Sequence, residues 1–247
     1  MPLITYITVV RNGVNQIEQT MKSILPFRGG EVEYIIIDGG SDDGTLDIIK
    51  ETQAEIDKWI SVPDKGIYDA MNKGLRMATG KFVCFINAGD QLLNCPLKQI
   101  ENVLNTDAAA ISFSVKLSNG KIFLPSFSRK IKWENTLHHQ GTYYRKNRVG
   151  EYNLSFRIFS DFDLNQILFK DNKKIVIDRT IINSIHALDG ISQDKKNINE
   201  IFKIVNKNYG AFFCIISFFH FKIKYGLRNK LRLLTQPASS FFLWIFY

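Results

Sequence analysis

Phe82-Val-Cys-Phe-Ile-Asn-Ala-Gly-Asp90 is an apolar run followed by a turn that ends in a carboxylate. A short, continuous apolar run is typical of a strand that is buried on both faces of a sheet. Open α/β sheets bind their ligands just beyond the carboxyl ends of such strands, and Asp90 occupies that position. Gly and Asp are also common turn residues, so the motif taken alone fits a simple turn as well. The segments before it favour a ligand site.

Strand and helix patterns alternate before this motif. Apolar, β-branched runs predict strands over residues 3–10, 32–37, 59–62 and 82–86. Apolar residues at helical spacing predict helices over residues 17–25, 45–51 and 66–79. Short connections between alternating strands and helices imply right-handed crossovers and a mainly parallel sheet. We therefore predict an α/β fold in which helices flank a Rossmann-like sheet.

The second half of the chain has a looser pattern. Further strands are predicted over residues 108–115, 121–124, 141–145 and 174–177, and Ser118-Asn-Gly120 is a hairpin signal. Helices are predicted over residues 161–169 and from residue 198 onward. Because the sequence contains no internal repeat and no low-complexity linker, this half is expected to complete the same domain. The prediction is one domain over residues 1–199 and a helical tail over residues 200–247.

The tail differs from the body in charge and in aromatic content. The 247 residues include 32 Lys and Arg against 24 Asp and Glu, a formal net charge of +8, and residues 200–247 hold seven basic residues but one acidic residue. Aromatic runs at 211–221 and 241–247 suit a segment at the surface of an anionic membrane. A helix packed on the body, with its Lys and Arg solvated, explains the tail as well. Neither run approaches the roughly 20 apolar residues of a membrane span, and no nucleic-acid recognition motif accompanies the charge.

Other features of the chain exclude several classes. Residues 1–10 lack a basic region and a cleavage-like site, so we predict a first strand and not a signal peptide. Cys84, Cys95 and Cys214 lack the spacing of a metal or redox motif, which favours a reducing compartment. The turn Arg11-Asn-Gly13 contains no G-x-G-x-x-G loop, which argues against an NAD-dependent Rossmann enzyme.

Four ordered motifs in the first 90 residues carry a family resemblance. They are Thr8-Val-Val-Arg-Asn12, Tyr34-Ile-Ile-Ile-Asp-Gly-Gly-Ser-Asp-Asp-Gly-Thr45, Pro63-Asp-Lys-Gly-Ile-Tyr-Asp-Ala-Met-Asn-Lys-Gly74 and Phe85-Ile-Asn-Ala-Gly-Asp90. Weaker similarity follows in His138-His-Gln-Gly141, Ser160-Asp-Phe-Asp163 and Asp189-Gly-Ile-Ser192. Together they resemble glycosyltransferase family 2, the inverting nucleotide-sugar transferases with the GT-A fold. The resemblance implies a GT-A-type sheet and points to bacterial enzymes of lipid-linked surface polysaccharide assembly.

The resemblance also implies a nucleotide-sugar site at the strand ends. The implied contacts are Thr8, Arg11, Asp38, Asp64, Lys73 and Asn87. Asp38 can accept the uracil N3–H bond, and Asp64 is a second candidate for contacts to the base or the ribose. Asn87 can hydrogen-bond to ribose. Lys73 and Arg76 can approach the diphosphate, although both equally fit solvated charges on a helix.

A divalent cation, Mn²⁺ or Mg²⁺, is the expected cofactor. The leaving nucleoside diphosphate develops negative charge that such a cation neutralises. The acidic motif of the family, roughly Asp-x-Asp-Asp, is Asn87-Ala-Gly-Asp90 here. Asp90 matches the usual metal ligand, whereas Gly89 has no carboxylate to offer. His186 is a candidate second ligand, and its alternative role is structural.

Attack by an acceptor hydroxyl requires a general base on the opposite face of the sugar. Asp161 matches the catalytic Asp of the family, with Ser160 in place of the usual Glu. Asp163 is the alternative base, unless it only complements the dipole of its helix. One base and in-line displacement predict inversion, and hence a β-linked product from α-linked UDP donors. His139 and Gln140 match a pair in close relatives and are predicted to line the acceptor cleft.

We therefore expect an inverting transferase that moves a single sugar from a UDP-hexose or UDP-N-acetylhexosamine to a polyprenyl-diphosphate-linked saccharide. It would act as a peripheral protein at the cytoplasmic face of the cell membrane. The absence of a Gln-x-x-Arg-Trp motif and of membrane spans favours single transfer over processive synthesis. The acidic motif has only one carboxylate, and Ser160 takes the place of the Glu that usually precedes the catalytic Asp. These two departures leave an alternative: a non-catalytic nucleotide-sugar-binding or scaffold subunit.

Overall fold

A nine-stranded mixed sheet is the centre of the fold in a computed structural model that describes residues 1–188 and 197–234, with side chains described as far as residue 224. The strands are β1 (Ile4–Val10), β2 (Val32–Asp38), β3 (Lys58–Ser61), β4 (Phe82–Phe85), β5 (Gln91–Leu92), β6 (Ala110–Leu117), β7 (Ile122–Phe123), β8 (Thr142–Arg145) and β9 (Ile175–His186). The helices are α1 (Ile17–Ile24), α2 (Thr45–Glu51), α3 (Ile67–Met77), α4 (Leu97–Val103), α5 (Ser160–Lys170) and α6 (Ile198–Leu234).

Four parallel strands form the first half of the sheet, in the order β3-β2-β1-β4. β8 pairs with β4 in the antiparallel sense, β6, β9 and β5 continue the sheet, and β7 pairs with β6. This topology confirms the predicted α/β class. The strand predicted over residues 174–177 continues to His186, because β9 pairs with β6 over residues 175–178 and, after an irregularity, again between Ile182 and His186. The sequence did not predict β5 or α4, which are only two and seven residues long.

The two faces of β1 pack against different helices, because side chains alternate along a strand. Tyr6 and Val10 join residues of α1 in one apolar cluster. Ile7 and Val9 join residues of α3 in a second cluster on the opposite face. Every residue of β1 and β2 is buried, as their continuous apolar runs predicted. Each large apolar side chain buried in this way contributes about 1.5–3 kcal/mol.

The strand order creates a crevice between β1 and β4. From β1 the chain moves outward to β2 and β3, and then returns to place β4 on the other side of β1. Loops at the carboxyl ends of these two neighbours diverge, which leaves a binding crevice at such a switch point. The loops are residues 11–13 and residues 87–90, the two segments in which the sequence placed nucleotide and metal ligands.

The C-terminal helix α6 consists of two segments that meet at Gly210, where φ is 80° and ψ is 179°. Glycine adopts this positive φ without the steric cost that a side chain would bring. The first segment packs against the body: Ile204 and Val205 are fully buried, and the Lys207 ammonium lies 2.8 Å from the Asp163 carboxylate of α5. The early part of the predicted tail therefore contributes to the core of the protein.

The second segment of α6 has an apolar outer face, formed by Phe212, Ile215, Phe219 and Ile223. These side chains are 55% to 70% exposed. The inner side is held by a hydrogen bond from the Ser217 hydroxyl to the Trp133 carbonyl, at 2.9 Å. No helix within residues 1–188 and 197–234 combines the length and the apolar character that crossing a bilayer requires.

Two predicted features lie outside the described residues. One is the motif Asp189-Gly-Ile-Ser192, and the other is the aromatic run at 241–247. The basic residues of the tail beyond residue 224 have no described side chains.

Candidate functional site

A cavity of about 430 Å³ occupies the crevice between β1 and β4, and we call it the first cavity. Its walls come from the loop after β1, the start of α3, the turn at 87–90 and three later segments. Polar lining residues include Arg11, Asn87, Asp90, Gln140, Arg157 and His186. This volume and mixed polarity are typical of small-molecule sites.

A second cavity of about 290 Å³ adjoins the first. Much of its lining is apolar and includes Phe162 and Phe221, whereas Asp161 provides a carboxylate on its wall. His139, Ile158 and His186 line both cavities. Two bound molecules could therefore meet at a shared boundary.

Asp90 lies at the centre of a polar cluster in the first cavity. Its Oδ1 atom is 2.9 Å from His186 Nδ1 and accepts a hydrogen bond from the Ala187 amide at 3.0 Å. Its Oδ2 atom accepts a hydrogen bond from Gln140 Nε2 at 2.5 Å. The structure thus joins Asp90 and His186, the two predicted metal ligands, and adds Gln140, which was predicted to line an acceptor cleft.

The donor atoms of this cluster fit a divalent cation. Asp90 provides a carboxylate and His186 an imidazole, and both groups bind Mn²⁺ or Mg²⁺ in proteins. Two further buried oxygens on the same cavity, Asn87 Oδ1 and Gln140 Oε1, have no hydrogen-bond partner in the described part of the chain. Within that part, no three His, Cys, Asp or Glu side chains form a group suited to a metal. A cation here would rely on few charged ligands.

Asp161 occupies the first turn of α5 and faces the second cavity. Its Oδ1 atom lies 2.8 Å from the Tyr68 hydroxyl, whose single proton it shares with the Ile158 carbonyl, also at 2.8 Å. Its Oδ2 atom accepts a hydrogen bond from Asn135 Nδ2 at 2.9 Å. His139 Nδ1 lies 3.8 Å from Oδ2. Burial is the largest influence on the pKa of Asp161 and raises it, but His139 and the Tyr68 hydroxyl outweigh burial, so the pKa is lowered. The carboxylate is therefore ionised at neutral pH and able to accept a proton.

Asp163, the alternative base, has a different environment. Its side chain is 1% exposed and is bonded to Lys207 Nζ and, at 2.8 Å, to Asn208 Nδ2. Both partners belong to α6, so Asp163 fixes α6 to α5. It lines neither cavity.

Asp38 is fully buried at the end of β2. Its carboxylate accepts hydrogen bonds from the amides of Gly40 and Ser41, at 3.1 and 3.0 Å, and from the hydroxyls of Ser41 and Ser61. A carboxylate offers about four acceptor positions, so these bonds use most of its capacity. Asp38 thus orders the turn after β2, and a uracil contact would have to compete with these partners.

Thr8 and Lys73 are two of the predicted nucleotide contacts, and neither lines the first cavity. Thr8 is fully buried in the sheet, and its hydroxyl donates to the Ile86 carbonyl at 2.7 Å. The Lys73 ammonium donates to the Pro63 carbonyl at 2.7 Å and lies 3.3 Å from the Asp69 carboxylate. Lys73 therefore fixes the loop before α3.

Asp64 and Arg11 flank the end of β2. A Cβ atom at Gly39 would lie 2.1 Å from Asp64 Oδ2 and 3.2 Å from Arg11 Cβ, so a side chain at this position would displace the Asp64 carboxylate. Asp64 also accepts a hydrogen bond from the Gly66 amide, at 2.9 Å. Arg11 lines the first cavity, whereas Asp64 does not.

Sequence reasoning missed Arg157. Its side chain is exposed, lines the first cavity and has no hydrogen-bond or ion-pair partner among the residues that the structure describes, as is also true of Arg11. The Glu200 carboxylate of α6 accepts hydrogen bonds from three successive amides, those of Arg157, Ile158 and Phe159, at 2.9, 2.8 and 2.7 Å. These bonds fix the segment that carries Arg157. The only signal in the sequence is a basic residue shortly before the predicted helix α5.

Tyr68 and Asn135, the two hydrogen-bond donors to Asp161, were also missed. Tyr68 lies within the third motif of the resemblance, which was a signal for it, whereas Asn135 belongs to no motif. His139 adds a link between the cavities, because its Nε2 atom lies 3.1 Å from Asn87 Nδ2 while Nδ1 faces Asp161. Burial, followed by the charges of neighbouring histidines, holds the pKa of His138 well below its usual value. His138 is therefore neutral at pH 7.

Comparison with protein families and curated proteins agrees with the sequence motifs. Residues 5–172 match the family described as Glycosyl transferase family 2. A PGL/p-HBAD biosynthesis glycosyltransferase from Mycobacterium bovis is 28% identical over 181 residues, which cover 66% of this chain and 68% of that protein. The putative teichuronic acid biosynthesis glycosyltransferase TuaG from Bacillus subtilis is 34% identical over 113 residues, 44% of each chain.

Solved structures share the fold. S. aureus TarS 1-349 in complex with UDP matches with a TM-score of 0.64 and 17% identity, covering 84% of this chain and 65% of that chain, less than two thirds of its length. The mannosyltransferase PcManGT from Pyrobaculum calidifontis, in complex with GDP-Man and Mn²⁺, matches with a TM-score of 0.66 and 14% identity, covering 98% of this chain and 76% of that chain. At these identities the likeness shows the fold alone.

Proposed function

The chain belongs to glycosyl transferase family 2, and from this premise we propose that it transfers one sugar from a UDP-sugar to a hydroxyl of a lipid-linked saccharide, with inversion. The donor is a UDP-hexose or UDP-N-acetylhexosamine, and the lipid is a polyprenyl diphosphate. The product enters a bacterial surface polysaccharide. Relatives named for PGL/p-HBAD and teichuronic acid biosynthesis support this setting, and the TarS neighbour in complex with UDP supports the donor class.

One observation carries the proposal: the two cavities meet at His139, Ile158 and His186, with different chemistry on each side. The first cavity contains Asp90, Arg11 and Arg157, which suit a nucleoside diphosphate with its cation. The second contains the ionised carboxylate of Asp161, which suits an acceptor hydroxyl. A sugar at the boundary would have its leaving group on one side and its attacking oxygen on the other.

The reaction follows from this arrangement. Asp161 accepts the proton of the acceptor hydroxyl, whose oxygen attacks the anomeric carbon on the face opposite the diphosphate. The bond between the anomeric carbon and the diphosphate oxygen breaks, and the configuration inverts. Tyr68 and Asn135 hold the two oxygens of Asp161 in place. Together with an ionised base, this support favours catalysis over the scaffold alternative.

The negative charge of the leaving diphosphate needs positive groups in the first cavity. Arg11 and Arg157 carry such charges, and neither has an ion-pair partner among the residues that the structure describes. Asp90 and His186 would hold a divalent cation, which supplies Lewis-acid stabilisation of the diphosphate when bound.

The second segment of α6 is proposed to lie on the cytoplasmic membrane surface. The division into a domain over residues 1–199 and a tail over residues 200–247 belongs to the same proposal. Its apolar outer face is available for the acyl region, and Lys222 is available for anionic headgroups. Phe221 and Lys224 of the same segment line the second cavity. A saccharide on a lipid carrier could therefore enter from the side that contacts the membrane.

The test is calorimetric titration of the full chain with UDP and, separately, with GDP, with and without Mn²⁺, followed by transfer assays. UDP-sugars would be incubated with polyprenyl-diphosphate-linked acceptors, and the anomeric configuration of the product would be read by NMR. We expect UDP binding, UDP release that depends on the acceptor, and a β-linked product. UDP binding without any transfer would support the scaffold alternative, and binding of GDP alone would refute the donor assignment.

A further inference from the structure

Gln140 lies beside both predicted metal ligands and has one atom unused. Its side chain is 1% exposed and lines the first cavity. Its amide contacts Asp90 and His186, whereas Oε1 faces the imidazole of His138 and makes no well-directed hydrogen bond to any described residue. Buried polar side-chain atoms in native proteins are nearly always paired, so this oxygen is free to bind a ligand in the first cavity.

The distances within the cluster suit a coordination shell. The Gln140 Nε2 atom lies 2.5 Å from Asp90 Oδ2 and 3.0 Å from His186 Nδ1. The His186 Nδ1 atom in turn lies 2.9 Å from Asp90 Oδ1. Neighbouring ligands of an octahedral cation with bonds of about 2.1 Å are separated by roughly 3 Å. The two ends of a glutamine amide exchange places by a half-turn, which moves Oε1 to the position of Nε2.

We propose that Gln140 Oε1 is a third protein ligand of the divalent cation, and that it replaces the carboxylate that Gly89 cannot supply. The proposal rests on the proposed function, because the cation is the one that accompanies the donor diphosphate. Its donor set is one carboxylate, one imidazole and one neutral amide oxygen. With a single protein charge, the cation binds more tightly when the diphosphate contributes further negative charge.

The backbone holds Gln140 in place for this role. Its carbonyl accepts hydrogen bonds from Asn183 Nδ2 at 2.8 Å and Ser184 Oγ at 2.9 Å. The next residue, Gly141, packs so closely on β6 that a Cβ atom would lie 2.6 Å from Val115 Cγ2. The backbone of Gln140 is therefore held in a position from which its side chain reaches the predicted metal ligands.

The test measures Mn²⁺ binding directly, by electron paramagnetic resonance of the free ion, with and without UDP. The variants are Gln140→Leu, which removes both polar atoms, and Gln140→Glu, which keeps an oxygen donor but loses the N–H. Gln16→Leu is the matched control, because Gln16 is an exposed glutamine on the same cavity. Thermal unfolding of each variant verifies that it is folded.

We expect Gln140→Leu to weaken Mn²⁺ binding by about tenfold or more, and Gln140→Glu to bind at least as tightly as the wild type. A glutamine that only donates its N–H to Asp90 predicts that Gln140→Leu binds Mn²⁺ within a few-fold of the wild type. If Gln140→Leu does not fold, Gln140→Met, which also lacks an oxygen donor and keeps a flexible side chain, takes its place.

The proposal is overturned if Gln140→Leu binds Mn²⁺ as the wild type does, or if Gln140→Glu binds more weakly than the wild type. It is also overturned if the wild-type chain binds no Mn²⁺ in the presence or absence of UDP. Sugar transfer by a metal-free enzyme would leave the proposed function standing. Conversely, a chain that binds Mn²⁺ through Gln140 but never binds UDP would refute the proposed donor and leave the metal ligand standing.

Discussion

The Tyr68 hydroxyl lies 2.8 Å from Asp161 Oδ1, although 93 positions separate the two residues in the chain. Tyr68 belongs to α3 and lines the first cavity, whereas Asp161 belongs to α5 and lines the second. The hydrogen bond therefore joins the proposed donor side to the proposed base. Because it stabilises the ionised carboxylate, it also contributes to the lowered pKa of Asp161.

Replacement of Tyr68 by Phe should raise the pKa of Asp161, because a hydrogen bond to the ionised form is lost. The base must be deprotonated to act, so the acid limb of the kcat/KM profile should move to higher pH. Tyr152→Phe is the control, since the Tyr152 hydroxyl is buried without a partner in the described chain. An unmoved acid limb in Tyr68→Phe would contradict the assignment.

Asp161 and Asp163 should respond in opposite ways to replacement by Asn. Asp161→Asn removes the proposed base, so transfer should fall by about 10²–10⁴-fold while UDP affinity stays within a few-fold. Asp163→Asn removes the charged hydrogen bonds to the half-exposed Lys207 ammonium, so it should destabilise the fold by about 2 kcal/mol yet retain turnover in the folded protein. Transfer assays and urea unfolding distinguish the two outcomes. Near-normal turnover in Asp161→Asn would exclude it as the base.

Arg157→Ala should weaken UDP binding by about tenfold to a hundredfold, because a charged hydrogen bond to phosphate is lost. Binding of uridine, which has no phosphate, should be unchanged. Arg148→Ala serves as the control, since Arg148 is an exposed arginine that lines neither cavity. Calorimetry with UDP and uridine provides the measurement. Equal losses for both ligands would place Arg157 at the nucleoside or in the fold.

The outer face of α6 should mediate binding to anionic vesicles. A variant with Phe212, Ile215 and Phe219 changed to Ser should lose most of its co-sedimentation, because these exposed side chains supply apolar area for insertion. The control changes Ile122 and Leu124, which are 50% and 58% exposed on another surface. If both variants bind vesicles like the wild type, the membrane contact lies elsewhere in the chain.

Glu33, which lies at the far end of the sheet, should make the free energy of unfolding depend on pH. Burial raises its pKa, but hydrogen bonds from Lys58, Thr5 and Thr79 lower it from 4.5 to about 2. The ionised form therefore stabilises the fold above pH 4.5, by an amount on the order of 3 kcal/mol, and this contribution is lost as the pH falls toward 2.

In urea unfolding, Glu33→Gln should therefore be less stable than the wild type at pH 6, and the difference should shrink below pH 4.5. Glu18→Gln is the control, because the Glu18 side chain is 63% exposed. A difference in unfolding free energy that is independent of pH would assign the effect of Glu33 to packing.

The sequence predicted the first half of the fold well because its signals are local. Continuous apolar runs mark strands buried on both faces, and the polar turns after them mark one edge of the sheet. The extension of β9 to His186 had no local signal, since pairing with β6 determines its length. Short elements such as β5 were missed for the same reason.

The sequence by itself determined the alternation of strands and helices and the family, and it singled out Asn87, Asp90 and Asp161, which the structure places on the walls of the two cavities. Only the tertiary structure decided that Asp161 faces a cavity while Asp163 is bonded to α6. It also decided that Gln140 contacts Asp90, 50 positions away. The physical reason is that periodicity fixes which face of an element is buried, whereas the partner of a buried polar group depends on how distant elements pack.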